Sequence, residues 1–551
     1  MQMPKVIAFG AIFVLFASQP CLGQQARVLP IQAHEAPQLA PPRQAETLHA
    51  PVAINAAPDE KTVALSTDRI RVGAVLVEGA SEIDSAAFMP VIAPFIGHQL
   101  QPQDLQDLLA VISGVARSKG YVLCRSTIRA QALTTGVLTV SLDLGRIDRV
   151  DFVGNDSPAV RAVLGPLVGK PATQTQLERQ LMLAADIPGI LIGQVSYLHD
   201  GDKGVLQVEV RHKQFGVRAT LDNRGISSLG PVRMALALDQ NGLLGNERLS
   251  ASAQIQTTPV YPDELIAAAG RLAYALDNGR TELALSAATS HTQPGGRLTP
   301  FNYSGDVRDI ELAFDHPLIR RRATSLWVGS SVAYQSLDQF QGPTMLWKDR
   351  TTLLRLSING YVPVAKGRLR AGLSEQWLLP LPGMTKAGDG LASRPDAGAD
   401  ALILSGWANW EGPIVGPFTA RIAFSGQLAD ASLPLAQQLA IGGPDFGRAY
   451  DFAERTGDDG ALGSVELQFK LPTRVAGSIT QVFFYGFADA GYVANLNNAF
   501  GTGTLVSAGF GSRLNMKKLR LGLELALPIN QVRYDADNHS PRVSVTMGTD
   551  F

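Results

Sequence analysis

Cysteine is almost missing: Cys21 and Cys124 are the two in a chain of 551 residues. Cys21 falls in a stretch with the marks of a leader, so the mature chain has no pair for an internal disulfide and Cys124 reads as a packed thiol. No histidine lies near Cys124 in sequence, and His98 stands alone. Charge is scarce as well, with charged residues at 18% and a formal net charge of -1. A nucleic-acid partner calls for a basic surface, so that class drops out. Catalytic signatures are thin: the 8 histidines form no His-x-x-x-His pair, and no Gly-x-Ser-x-Gly elbow occurs. The stretch 165–171 (Gly-Pro-Leu-Val-Gly-Lys-Pro) has one residue too few between its glycines for a phosphate loop, and proline where the hydroxyl belongs. It reads as a helix end and turn. Nothing here asks for a cofactor or a metal, and no enzyme is expected. Past the N-terminus no apolar run reaches the length of a membrane helix, yet mean hydropathy is +0.07 and glycines number 54. Strands apolar at every second position reconcile these facts, because averaging hides a lipid-facing row.

The chain opens on Lys5, an apolar run over 6–17 and Ser-Gln-Pro-Cys-Leu-Gly at 18–23, the charge, length and small-residue end of a secretory signal (1–23). Residues 24–67, rich in proline, alanine and glutamine, read as a disordered or extended linker. Two similar units are expected next, over 68–146 and 147–214. The first begins with a β-branched run over 70–77 and has helix signals from Asp84 and Gln103, where Leu105, Leu108, Leu109, Ile112 and Ala116 share one face. Strands over 121–128 and 137–144 close it. The second repeats the order, with a strand over 147–153, helices over 159–167 and 174–185, and strands over 191–198 and 205–210. Gly-Val-Leu-Thr-Val at 136–140 recurs as Gly-Val-Leu-Gln-Val at 204–208. A β-α-α-β-β module used twice is the economical reading.

From residue 215 to 551 the period becomes two. Val465, Leu467 and Phe469 alternate with Glu466, Gln468 and Lys470, and Leu519, Leu521 and Leu523 with Arg520, Gly522 and Glu524. Runs of about ten residues tilted near 45° rise roughly 23 Å, close to the ~25 Å apolar band of an outer-membrane barrel. A lysine or arginine facing lipid costs roughly 2 to 4 kcal/mol at mid-bilayer, so Glu466, Lys470, Arg520 and Glu524 are expected to face a polar lumen. About sixteen such runs can be placed, an even number as bacterial barrels require, wide enough for an aqueous channel. The expected fold class is therefore α+β periplasmic modules followed by an all-β transmembrane barrel of about 16 antiparallel strands.

One segment interrupts the alternation. Between 429 and 461 stands Gly442-Gly443-Pro444-Asp445-Phe446-Gly447-Arg448-Ala449-Tyr450, a glycine-rich loop with one arginine among aromatics. Such an arginine wants a carboxylate, and Asp489, in Phe487-Ala-Asp489-Ala-Gly491, is the candidate. These residues resemble the secretion and activation transporters of two-partner secretion, the haemolysin and filamentous-haemagglutinin transporter family within the outer-membrane assembly-protein superfamily. The resemblance runs from about residue 70 to 551. Gly120-Tyr121, Gln131 and Gly136 look like the motif of that family's polypeptide-transport-associated (POTRA) domain. The sequence Gly447-Arg448-Ala449-Tyr450 looks like the Val-Arg-Gly-Tyr tip of its pore loop, and the stretch around Asp489 like the strand that receives the arginine. The family has valine and glycine where Gly447 and Ala449 stand, so the tip need not take a glycine-only backbone. Nor does the Pro-rich stretch hold an evident amphipathic helix of the kind that plugs some members.

The resemblance implies an outer-membrane pore, its POTRA domains in the periplasm, that exports a large unfolded partner, a β-helical exoprotein being expected. It also implies contact with outer-membrane lipid and with the barrel assembly machinery, which would read the terminal Phe551, and a monomer. The alternative within the superfamily is an insertase of other barrels, though insertases usually carry more than two modules. A plain porin has no use for two modules. A barrel lipase needs a serine-histidine pair, and Ser286 and His291 are poor candidates.

Overall fold

The computed structural model describes residues 54–56, 70–129, 131, 136–201, 203–277, 280–471, 479–497 and 501–551. The expected leader and most of the expected linker lie outside the described residues.

Helix Pro102–Ser118 organises the first module. Gln101 and Asp104 close a capping box at its start, and Leu105, Leu108, Ile112 and Ala116 are buried. Its apolar face covers a sheet in which Ala74–Glu78 runs parallel to Val137–Asp143, with Arg125–Thr127 on the other side. Two expected strands come out shorter. The run 70–77 is split: Ile70–Arg71 pairs with Gln99–Leu100, and the chain re-enters at Gly73 and Ala74, whose N–H groups both donate to the Gly136 carbonyl. Residues 121–124 form a turn instead of strand, because the Tyr121 and Cys124 N–H groups are taken by the Ala116 and Tyr121 carbonyls.

The second module repeats the pattern with Arg149–Gly154, Ile190–Asp200 and Lys203–His212 under helices Pro158–Leu164 and Gln174–Ala185. The outer edge of Ile190–Asp200 carries a fourth strand, Ile54–Ala56, drawn from the expected linker and paired in parallel as Ile54↔Val195 to Ala56↔Tyr197.

Sixteen antiparallel strands follow, from Phe215–Asp222 to Arg542–Asp550, and close into a barrel where Arg218–Asp222 pairs with residues 546–550. Alternation sets the two faces as expected. Leu238, Leu285, Leu312, Val465, Leu523 and Val545 are exposed outward, whereas Ser464, Glu466, Gln468, Ser507 and Glu524 are buried inside. The first strand leaves the second module, so the tight turns at 365–366, 416–417 and 517–518 lie on the module side and the long loops at the far end. The lumen is not empty. Residues 430–458, between the eleventh and twelfth strands, fold back into it, and Leu433 packs on Leu353, Leu378 and Ile403 near the far end.

Candidate functional site

The inward loop is built on a short antiparallel pair, Leu439–Ile441 with Arg455–Gly457. Between them the chain must reverse inside a packed lumen, and three glycines let it do so, with φ of +112° at Gly442, +98° at Gly443 and +79° at Gly447. A Cβ at Gly442 would lie 2.1 Å from the Asp451 carbonyl oxygen. The expectation that the tip needs no glycine-only backbone is therefore corrected at Gly447; Ala449, fully buried, stays out of the left-handed region. On the wall opposite, Gly491 leaves room for Ile441, whose Cδ1 sits 2.2 Å from where a Cβ would be. Phe446 packs partly buried against the cluster of Ile441, Tyr450, Leu462 and Phe487.

Arg448, at the tip, meets three carboxylates from three barrel strands. Its Nη1 donates to Glu466 Oε2 on the twelfth strand at 2.9 Å and to Glu524 Oε2 on the fifteenth at 3.3 Å. Its Nε lies 3.3 Å from Asp489 Oδ2 on the thirteenth, an ionic contact without an aligned hydrogen bond. The Arg448 backbone N–H also donates to Asp489 Oδ2 at 3.2 Å, Nη2 donates to Ser464 Oγ at 3.1 Å, and the guanidinium stacks 4.0 Å over Phe487. Two further arginines complete the cluster. Arg513 donates twice to Glu466 at 2.7 and 3.0 Å, and Arg224 to Glu524 at 2.9 Å, where Tyr485 adds a hydroxyl bond at 2.8 Å. Asp489 accepts from the Ser464 and Ser507 hydroxyls at 2.7 and 3.2 Å. Three acids thus face three arginines, all but Arg224 and Arg513 nearly inaccessible to solvent. A buried charge needs such pairing because desolvation alone is worth several kcal/mol.

The rest of the loop is tied to the seam. The Tyr450 hydroxyl bonds to the Val506 carbonyl and to Asn530. Asp451 accepts from Arg542 Nη1 at 2.9 Å and from the Ser227 N–H and hydroxyl at 3.0 and 2.9 Å, reaching both the last strand and the loop after the first. At the far end, Glu454 accepts from the Asp451 and Tyr534 N–H groups at 3.0 and 3.3 Å, and burial pushes its carboxyl up to about 7.

Sequence reasoning paired Arg448 with Asp489 and placed Glu466 and Glu524 in the lumen. It missed that all three acids converge on one guanidinium. The available signal was two mid-strand acids, Glu466 and Glu524, on inner rows whose other charges, Lys470 and Arg520, stand at strand ends; for Arg224, in a turn, there was none. The other candidates sit elsewhere. The Gly120 carbonyl accepts from the Gln174 N–H of the second module at 2.8 Å, and Tyr121 packs on the first core. The Gln131 amide brackets Thr139 through its N–H and carbonyl, both at 2.8 Å, and Gly136 turns the chain with φ of +71°. Phe551 exchanges backbone hydrogen bonds with Val217 while its exposed ring lies 5.0 Å from Lys518 Nζ. Ser286 bonds to Arg271 and His291 to Asp306, so those two are not brought together. Among the described residues no cluster of acids, histidines and cysteines is placed to hold a metal.

The sequence profile described as haemolysin secretion/activation protein ShlB/FhaC/HecB matches residues 203–514, and that of the ShlB-type POTRA domain matches residues 70–143. The heme/hemopexin transporter protein HuxB of Haemophilus influenzae (strain 86-028NP) is 21% identical over 491 residues, 84% of each chain. Among solved structures, CdiB from Escherichia coli superposes with a TM-score of 0.70 at 18% identity over 92% of this chain and 95% of that one. BamA from Haemophilus ducreyi lacking POTRA domains 1-3 gives 0.53 at 12% identity, covering 88% of this chain and all of that one (100%).

Proposed function

The chain belongs to the haemolysin secretion/activation family of outer-membrane transporters, with POTRA domains in the periplasm, and from that premise we propose how its parts carry out two-partner secretion. The units are taken as a signal peptide (1–23), linker (24–67), two POTRA modules (68–146, 147–214) and barrel (215–551). The single observation that carries the reading is Arg448, held at the tip of an inward loop by acids from three strands of the pore wall. In this reading the cluster is a latch, with Phe487 and Gly491 shaping its seat and Gly442, Gly443, Gly447, Ala449 and Tyr450 its tongue. It keeps the loop in the lumen until the partner displaces it. A buried ion cluster adds little net stability but specifies position well.

The partner is a secreted protein, expected to be β-helical, that arrives unfolded. An extended chain recognises a sheet edge through main-chain pairing, which tolerates many sequences. Support comes from Ile54–Ala56, an extended segment of this same chain that pairs in parallel with the edge of Ile190–Asp200. No nucleotide drives the step in this reading. Folding outside buries each new repeat and prevents back-sliding. The chain works as a monomer embedded in outer-membrane lipid, inserted by the assembly machinery with Phe551 as the address.

Deleting the gene and measuring the outer-membrane and secreted proteomes tests this. Loss of one large exoprotein, restored by the wild-type gene, is the expected result. General loss of other barrels would instead indicate an insertase.

A further inference from the structure

The second module is docked on the floor of the barrel through a buried guanidinium distant in sequence from the pore loop. Arg320 ends the sixth strand, Tyr303–Arg320, and is 1% exposed. Its Nε and Nη2 donate in parallel to Asp186 Oδ2 and Oδ1 at 2.7 and 2.6 Å. Its Nη1 donates to Ser325 Oγ and Tyr361 Oη at 3.2 and 3.1 Å, and its plane lies 5.2 Å from the Trp327 ring. Asp186 is the C-cap of helix Gln174–Ala185, where the helix dipole disfavours an anion. The carboxylate therefore does nothing for its own helix, and its forked bond to the barrel accounts for its place. A second contact lies across the interface, where Glu247, in the turn before the third strand, accepts from Ser157 Oγ and the Ala159 N–H at 2.6 and 3.0 Å. Two contacts far apart in sequence remove rotation about either one.

The first module is joined to this platform in turn. Leu123 belongs to the second module's core, and a Cβ at Gly145 would come within 2.3 Å of its Cβ.

We propose that Asp186 and Arg320 are positioning residues for export: they hold the POTRA pair at one fixed angle beneath the barrel, so that the client meets a stationary entrance. The proposal rests on the secretion reading, but the angle itself is measurable without any client. Spin labels at Lys170→Cys and Arg322→Cys, both exposed sites, report it by pulsed electron resonance in the full-length protein in liposomes, with buried Cys124 changed to serine. The otherwise native chain should give one narrow distance. Asp186→Ala strands the guanidinium and should shift the docked-to-undocked ratio on the order of 100-fold, broadening the distance and lowering export, while the Arg448 latch and the closed-state conductance stay unchanged. The double variant Asp186→Ser with Arg320→Ser guards against misfolding, since removing both partners strands no buried charge and puts no apolar pair in their place. It should assemble normally, yet show the broad distance and weakened export. A single narrow distance in the double variant, or export at the native rate from a visibly mobile arm, would overturn the proposal.

Discussion

Arg448→Ala is the decisive substitution, and its effect can be worked out acid by acid. Glu466 keeps two bonds from Arg513, and Glu524 keeps Arg224 and Tyr485. Asp489 loses the guanidinium beside it and keeps the hydroxyls of Ser464 and Ser507. The damage therefore concentrates at Asp489, and the low end of the usual cost of stranding a buried charge applies, about 3 kcal/mol. That is on the order of 100-fold in the ratio of loop-in to loop-out states. In planar bilayers the fraction of time spent in high-conductance states should rise by that factor, and the folded band on unheated gels should melt earlier. Asp489→Asn should do less, because Arg448 retains Glu466 and Glu524. The two substitutions share one contact, so in a double-mutant cycle their effects should fall short of additive. Unchanged open probability in Arg448→Ala, or strict additivity of the pair, would refute the latch.

Three further outcomes are expected. Glu454 has its carboxyl raised to about 7 in the folded loop, above the ordinary carboxylate range, so it binds its proton more tightly when docked. Its support of the docked loop should be full below about pH 4.5 and fade as pH climbs through about 7; open probability should rise over that window in the wild type and stay flat in Glu454→Gln. Cys124 is buried and burial raises its thiol pKa; it should resist maleimides in the native protein and react within the urea transition of the first module. Gly145→Ala forces a Cβ at φ of +83° against the Leu123 backbone at 2.9 Å. It should cost more than the roughly 1–2 kcal/mol of left-handed strain alone and expose the junction between modules to limited proteolysis.

The barrel was legible because period-two patterning is written into every strand. A lipid-facing row cannot hide a charge, so Glu466 and Glu524 located the lumen before any coordinates did. The expected count of about sixteen runs matches the sixteen observed strands for the same reason. The modules were less legible at their edges. Residues 121–124 are apolar enough for a strand, yet the helix end before them captures their N–H groups, a tertiary outcome that alternation does not encode. The latch was half readable: an arginine among aromatics and an acid on a small-residue strand suggest a pair. That two more acids share it follows from barrel registration, Ser464 opposite Asp489 and Glu466 opposite Phe487, which depends on how neighbouring strands slide. The Asp186–Arg320 contact joins residues 134 apart through the docking of two folded bodies, and no local pattern announces it.

With the tongue seated, three acids are balanced by three arginines; with it withdrawn, Glu466, Asp489 and Glu524 face Arg224 and Arg513 with one negative charge left over. The unlatched wall thus carries an anionic patch at this depth, while Arg542, freed of Asp451, stands as a cationic one nearer the far end. It also offers each basic side chain of a passing polypeptide the seat that Arg448 vacated, so lysines and arginines along the cargo become momentary footholds at this depth.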